Sequence, residues 1–364
     1  MSNNKTKEYD SNMIHKNADV NGLIYYDVRK EEKFDVYGFY DYRNTSRFQR
    51  LPDDVAENVS ENVKALHLET AGGRVRFSTD SQKISIKVKF SAIGPNARTP
   101  MLGICGFDLY VDTPFTSRFR SPFTPPNTVE DEYEISIQFP EKMRRNYTLN
   151  FPYHACIDDL YIGLDGDACV GKGLKYINEK PLVFYGSSIT HGSCASRPGM
   201  IYENILSRRL NLDYLSFGFS GSAHGERNIA EYMAGLDMEM FICDYDYNAS
   251  SIEELIATHK PMYEIIRERH PHIPYLMISK PDFGYRQEYA YKSREVIFDT
   301  YRYACEQGDK NVYYIDGSSF FRSRNWDDYT VDTVHPNDAG FIKMADAIEP
   351  IIQKALSKTD ISEL

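Results

Sequence analysis

The stretch Leu182-Val183-Phe184-Tyr185-Gly186-Ser187-Ser188-Ile189-Thr190-His191-Gly192 decides how the chain is read. Its apolar run passes straight into a Gly-Ser-Ser turn, and a helix-like segment follows soon after. A short, continuously apolar run bounded by turn residues reads as a strand buried on both faces. The residue just past such a strand lies at the carboxyl edge of a parallel sheet, where α/β proteins place their chemistry. Ser188 stands there with its hydroxyl and backbone N–H exposed together, which makes it a candidate nucleophile. On these residues alone, a merely polar βα turn would look the same.

Downstream, strand-like runs alternate with helix-like ones. Leu182–Tyr185 precedes a helix over about 200–210, and Tyr214–Phe219 precedes one over 226–236. Met238–Asp244 leads into an amphipathic stretch from Ser251 to Arg269, where Ser251 and Glu254 fit a capping box. Pro274–Ser279 precedes a helix over about 287–307, and Asn311–Ile315 is followed by a closing helix over 339–356. This alternation predicts a five-stranded parallel sheet with helices on both faces.

Upstream the period is two. Ile84-Ser-Ile-Lys-Val-Lys-Phe90 and Tyr133-Glu-Ile-Ser-Ile-Gln-Phe139 alternate cleanly, and shorter runs sit at 75–77, 107–111, 147–151 and 160–164. One apolar and one polar face marks half-buried antiparallel strands. Ala71-Gly-Gly73 and Ser121-Pro-Phe-Thr-Pro-Pro-Asn127 read as turns and loops, and only 55–68 hints at a helix. The fold class expected is therefore α/β, with an N-terminal jelly-roll-like β-sandwich over 1–178 ahead of an α/β domain over 179–364. A length of 364 residues also favours two domains.

Hydrophobic and charged fractions of 41% and 26% place the chain among ordinary globular proteins. A formal net charge of −11 argues against nucleic acid or an anionic membrane as partner, since both require a basic face. The six cysteines show no Cys-x-x-Cys spacing, and most sit in apolar runs, as reduced buried thiols do. The first residues, Met1 to Asp10, have no apolar core after their basic residues, so no secretory signal is read there. Residues 1 to about 20 are expected to be ordered only by docking. No run approaches a membrane span, and the expected location is cytoplasmic.

A serine hydroxyl needs an adjacent base, normally a histidine oriented by a carboxylate. Thr330-Val-Asp332-Thr-Val-His335-Pro-Asn337 supplies one, on a segment that Pro336 marks as a loop. Asp-x-x-His lets the carboxylate fold back on one imidazole nitrogen while the other faces outward. Acyl transfer also needs donors for an oxyanion. Phe217-Gly218-Phe-Ser-Gly221-Ser222 offers a close backbone N–H after the second strand, and Asn248 in Asp244-Tyr-Asp246-Tyr-Asn248-Ala an amide after the third. Singly, such features are more often a turn and a cap.

Together, in this order, the blocks resemble those of the SGNH (GDSL-type) hydrolases over about 180–352. Gly186-Ser187-Ser188-Ile189-Thr190 is similar to the family's first block, Gly221 and Asn248 match the second and third, and Asp332 with His335 the last. The resemblance implies a three-layer α/β/α domain, a Ser188–His335–Asp332 triad, and an oxyanion hole from the N–H groups of Ser188 and Gly221 plus the Asn248 side chain. Ser187 replaces the usual Asp before the nucleophile, and Asp246-Tyr247-Asn248-Ala249 replaces Gly-x-Asn-Asp. The first block resembles a bacterial subgroup whose members commonly carry an N-terminal β-sandwich. The lipase elbow Gly-x-Ser-x-Gly is not met, because Thr occupies position 190.

His191, His224 and Arg197 flank these blocks as candidate substrate contacts, with supporting or surface roles as alternatives. His270 and His272 lie away from the expected edge and read as structural. No cofactor is implied, and metal binding has no support from His-Glu-x-x-His or paired thiols. The expected function is a serine esterase acting on small acyl esters, acetyl by family inference, on a small-molecule or oligosaccharide substrate. The rivals are an acyltransferase with the same machinery and a carbohydrate-binding protein with an inactive hydrolase domain; a homo-oligomer is left open. If an imidazole is the base, the rate on an aryl acetate should rise with pH through roughly 6 to 7; a flat profile would count against His335.

Overall fold

A computed structural model describes residues 21–94, 96–281, 287–322 and 325–359. The expectations for residues 1–20 lie outside these. Chain order begins with β1 (Leu23–Asp27) and β2 (Asp35–Tyr37), then the short helices α1 (Asp53–Val59) and α2 (Glu61–Leu66). β3 (Arg74–Thr79), β4 (Lys83–Ile93), α3 (Met101–Cys105), β5 (Phe107–Asp112) and β6 (Ser117–Phe123) follow. β7 (Glu132–Gln138), β8 (Arg145–Asn150), β9 (Ala155–Asp165) and β10 (Val170–Lys172) complete the first half.

These strands form two antiparallel sheets, one in the order β1-β9-β4-β7 and one in the order β10-β3-β8-β5-β6 with β2 on β3. The period-two runs supply their shared core: Ile84, Ile86, Val88, Ile162 and Leu164 from one sheet meet Val75, Phe77, Leu109 and Leu149 from the other. Two local readings are corrected. The helical hint at 55–68 is two helices, because Ser60 is extended (φ −165°, ψ 160°) and its side chain accepts a hydrogen bond from Val63 N, starting α2 afresh. The supposed loop from Ser121 begins inside β6, which tolerates Pro122 because it pairs only with β5, at the sheet edge.

The second half runs β11 (Leu182–Gly186), α4 (Ser188–His191), α5 (Tyr202–Leu210), β12 (Tyr214–Gly218), α6 (Arg227–Ala234) and β13 (Met240–Asp244). α7 (Ile252–Arg269), β14 (Tyr275–Ile278), α8 (Gln287–Glu306), β15 (Val312–Ile315) and α9 (Asp338–Thr359) close it. The five strands are parallel, in the order β12-β11-β13-β14-β15. All residues of β11 are buried, and their alternation divides the two layers. Leu182 and Phe184 pack under α5 and α9, while Val183 and Tyr185 pack under α6, α7 and α8. Ser251 accepts from Glu254 N at 3.1 Å to start α7, but the Glu254 carboxylate takes the Ser250 N–H, one residue before the capping-box position. All six cysteines are free, three of them buried. Among the described residues no helix is long and apolar enough to cross a membrane.

β12 is an edge strand, so its outward carbonyls would be stranded when buried. Two arginines of the N-terminal half cover them. Arg74 donates to Tyr214 O at 3.0 Å, and Arg50 donates to Ser216 O and Gly218 O at 3.0 and 2.8 Å. Arg50 also donates to Leu66 O and Glu69 O at 2.6 and 2.8 Å, and it is only 2% exposed. Burial pulls its pKa down to about 10, which leaves it charged at neutral pH. Replacing it with Met should leave several buried carbonyls unpaired and cost about 3 kcal/mol or more. Urea denaturation would register this as a lower midpoint; an unchanged midpoint would contradict the edge-covering role.

Candidate active site

Ser188 follows the carboxyl end of β11 and opens α4. Ser187 caps that helix, its hydroxyl accepting from Ile189 N at 3.2 Å, so the residue in the usual Asp position still supplies an oxygen cap. Gly218, at the end of β12, allows α4 to lie against that strand: a Cβ there would stand 2.2 Å from His191 N.

The Ser188 Oγ lies 2.8 Å from His335 Nε2, and His335 Nδ1 lies 2.9 Å from Asp332 Oδ2. Asp332 Oδ1 accepts the backbone N–H groups of Val334 and His335 at 3.1 and 2.8 Å. The loop closes on itself, with Val331 N donating to His335 O at 2.9 Å and Thr333 at φ +71° turning its tip. Burial alone would raise the Asp332 pKa, but the hydrogen bonds from the His335 backbone and ring hold it down to about 2. A charged carboxylate on Nδ1 fixes that nitrogen as the donor and leaves Nε2 to accept from the serine.

The second and third blocks meet at the same edge. Gly221 adopts φ +68° with open space beside its Cα. Asn248 Nδ2 donates to Phe219 O at 2.9 Å, which ties the two loops together. A carboxamide has two N–H groups, so one remains for a ligand. Among the described residues no protein acceptor takes the Ser188 or Gly221 N–H.

His191 must be withdrawn as a substrate contact: its side chain is fully buried. Its Nε2 faces Glu69 Oε2 at 2.8 Å and Tyr153 O at 2.6 Å, and its Nδ1 accepts from Ser220 N at 3.4 Å. It therefore braces the loop that carries Gly221. Arg197 is engaged by the sandwich, with Nη1 2.6 Å from Asp108 Oδ2 and the guanidinium 4.0 Å over the Phe119 ring. The turn that follows it is held by Asp108, which accepts Gly199 N at 2.8 Å. His224 is half-buried beside the second block, its Nε2 3.3 Å from Gly221 O and its Nδ1 3.3 Å from a Glu254 carboxylate oxygen. His270 donates toward Ala234 O at 2.9 Å, away from this edge.

The N-terminal half supplies residues that motif reading missed. Arg98, 57% exposed on the loop after β4, hydrogen-bonds Asp332 Oδ2 through Nη1. Its neighbour Thr99 accepts from Cys194 N at 3.2 Å. Glu69, His154 and His191 place donor atoms within 4.8 Å of one another, the one group with metal-like spacing among the described residues. Every one of these atoms is already engaged: Glu69 Oε2 meets His154 Nδ1 and His191 Nε2 at 2.9 and 2.8 Å, and His154 Nε2 meets Ser193 Oγ at 3.1 Å. Burial would raise the Glu69 pKa, yet the two imidazoles hold it well below the carboxylate range. The trio fits a hydrogen-bonded clamp better than a metal site.

The sequence profile of the GDSL-like lipase/acylhydrolase family matches residues 179–353, and a profile described as the N-terminus of SGNH-hydrolase-type esterases matches residues 23–170. The chain belongs to this SGNH family and carries its N-terminal domain. A candidate GDSL-like lipase from Bacteroides ovatus superposes with TM-score 0.82 at 26% identity, covering 92% of this chain and 98% of that one. The salicylyl-acyltransferase SsfX3 of a tetracycline biosynthetic pathway superposes at 0.75 with 19% identity, covering 94% and 98%. An acetyl xylan esterase, Est2A, from the rumen bacterium Butyrivibrio proteoclasticus gives 0.57 at 11%, covering 92% and 99%. At such identities the last two speak to the fold. No curated protein matches the sequence.

Burial pushes His191 down to about 4, against the pull of Glu69, and pushes His259 to about 3. Both are neutral when folded but protonate near 6.5 when unfolded. Between about 4 and 6.5 these two imidazoles therefore bind more protons in the unfolded chain, and their contribution to stability falls as pH drops through that window. Glu69 and Asp332, with depressed pKa values, add to the loss only below about 4, the unfolded carboxylate range. Buried carboxyls with raised pKa values, Glu203, Asp244 and Asp246 among them, act with the opposite sign, so the test is a difference: between pH 7 and 4.5 the urea midpoint of His191→Gln should fall less, or rise more, than that of wild type. A slope unchanged in that variant would contradict a neutral buried imidazole at 191.

Proposed function

We propose that the protein is a serine esterase that hydrolyses small acyl esters, acetyl above all, on a carbohydrate. The observation that carries this reading is the continuous hydrogen-bonded line from Ser188 Oγ through His335 to Asp332. His335 takes the serine proton as Oγ attacks the ester carbonyl, and Asp332 stabilises the imidazolium that forms. The N–H groups of Ser188 and Gly221 and the Asn248 amide receive the oxyanion. The imidazolium then gives its proton to the leaving alcohol, and a water repeats the sequence on the acyl-enzyme. His224, beside Gly221 and partly exposed, is the sequence candidate best placed to meet the substrate.

Acetyl and carbohydrate rest on the family and on the likeness to the acetyl xylan esterase. The likeness to the salicylyl-acyltransferase, over nearly the whole of both chains, keeps a second reading in view, in which an alcohol rather than water accepts the acyl group. An inactive domain serving only to bind carbohydrate fits poorly with a complete, mutually hydrogen-bonded set of groups.

A fluorophosphonate probe should label wild type at Ser188 and leave Ser188→Ala unlabelled. Asn248→Ala should lower kcat on an aryl acetate by about 10²–10³. No labelling of the wild type would remove the nucleophile assignment. Product analysis with acetylated oligosaccharides and a competing acceptor alcohol separates the two esterase chemistries: free acetate as the main product supports hydrolysis, and the acetylated acceptor supports transfer.

A further inference from the structure

A cavity of about 180 Å³ lies between the two halves of the chain, walled by β3, β5 and β8 on one side and by the end of α5 on the other. It is not the esterase site. Its Asn211 precedes β12, whereas Ser188 follows the far end of β11. The two strands run parallel from Leu182↔Tyr214 to Gly186↔Gly218, so the strand length, about 16 Å, separates the openings.

Arg74, Arg76, Arg208 and Arg209 all line this cavity. Two have their charge met elsewhere: Arg74 by Asp213, and Arg209 by Asp346 and Glu349 at 2.8 and 3.0 Å. The other two are less fully met. Arg76 is 3% exposed; Nη1 donates to Asn211 Oδ1 at 3.1 Å, Nη2 stands 3.6 Å from Asp112, and Nε has no partner among the described residues. Arg208 donates to the Gly199 carbonyl, and no carboxylate lies within ion-pair range of it among the described residues. Asp112, the one acid in the lining, already accepts from Thr148 Oγ1 at 2.6 Å. Arg76 thus has one long ion pair, to Asp112, and the half-buried Arg208 has none, so the cavity holds more positive charge than its single acid meets. The mouth is of a different character. Phe115 and Ile177 are 93% and 73% exposed at its rim, and the Tyr176 ring lies 4.2 Å under Arg76.

We propose that this cavity binds a small molecule with a carboxylate or phosphate head on an apolar body, the head between Arg76 and Arg208 and the body against Phe115 and Ile177. The anion supplies the missing charge, and the apolar body covers side chains otherwise left in water. Because both halves form the walls, occupancy ties them together and raises the melting temperature by mass action. This site stands apart from the esterase reading and would survive its failure.

Benzoate, phenyl phosphate, inorganic phosphate and neutral benzamide separate the contributions. Calorimetric titration of the full chain should show benzoate or phenyl phosphate binding, inorganic phosphate at least tenfold weaker, and no heat from benzamide. Whichever aromatic anion binds tells a carboxylate from a phosphate head. Arg76→Gln should abolish the binding, and Phe115→Ala should weaken it about tenfold. Since Phe115 is almost fully exposed, its variant keeps the test readable if Arg76→Gln does not fold. Fluorophosphonate-blocked protein should bind as the unblocked protein does. Absence of binding by both aromatic anions, phosphate or benzamide binding equally well, affinity unchanged in Phe115→Ala, or binding lost on blocking Ser188 would each overturn the proposal.

Discussion

The parallel sheet has an open edge at β12, and the guanidiniums of Arg50 and Arg74 close it. Their acceptors, Tyr214 O, Ser216 O and Gly218 O, recur at every second residue, as the outward carbonyls of a strand must. An edge strand left unpaired would have to face water or another chain; here it is buried instead under the N-terminal half. The contact is strongly polar, and each of these three carbonyls meets a guanidinium. Arg50 alone serves four carbonyls, two on each side of the seam. With this edge fixed, the rest of the interface has no freedom to slide along the strand, because a slip of one residue would present side chains where carbonyls are required.

That docking reaches the chemistry through two routes. One passes through Glu69, whose carboxylate orients His191, which in turn accepts the Ser220 N–H beside Gly221. The other is direct: Arg98 lies against the Asp332 carboxylate that His335 also uses. The N-terminal half is therefore part of the electrostatics of the candidate site, through an oxygen shared by an arginine and a histidine.

The parallel sheet was legible because β11 through β15 are short, mostly apolar runs separated by helix-length segments, and their length and regular alternation with those segments favour buried strands. The positions of Ser188, Asp332 and His335 were legible for a related reason: each follows a strand or precedes a helix at the same edge. What was hidden depends on contacts between distant segments. His191 looks like a polar turn residue, and only the approach of Glu69 and Tyr153 from another domain makes it a buried brace. Arg98 carries no spacing signal; it matters because a loop far away in sequence brings Asp332 to it. Pro122 read as a breaker because an edge position cannot be known before the strand order is known.

Preorganisation is the consequence with most bearing on function. An oxyanion site works when its donors are held in place before charge develops. Gly221 has no side chain to pack, and its left-handed backbone turn is open on one side, so the loop needs support from its neighbours. Three come to it. Asn248 grips Phe219 O, the His191 ring takes the Ser220 N–H, and Gly186 O accepts the Phe219 N–H at 2.9 Å. Two of these belong to the catalytic domain alone, but the His191 contact depends on an imidazole kept neutral, with Nδ1 bare and the proton on Nε2, by burial beneath Glu69 and the Tyr153 carbonyl. Undocking the N-terminal half would expose that ring, free it to protonate, and turn its acceptor into a donor facing another donor. The loop that carries Gly221 is thus ordered in part by the same interface that covers the sheet edge, which gives the N-terminal half a physical reason to travel with the α/β half.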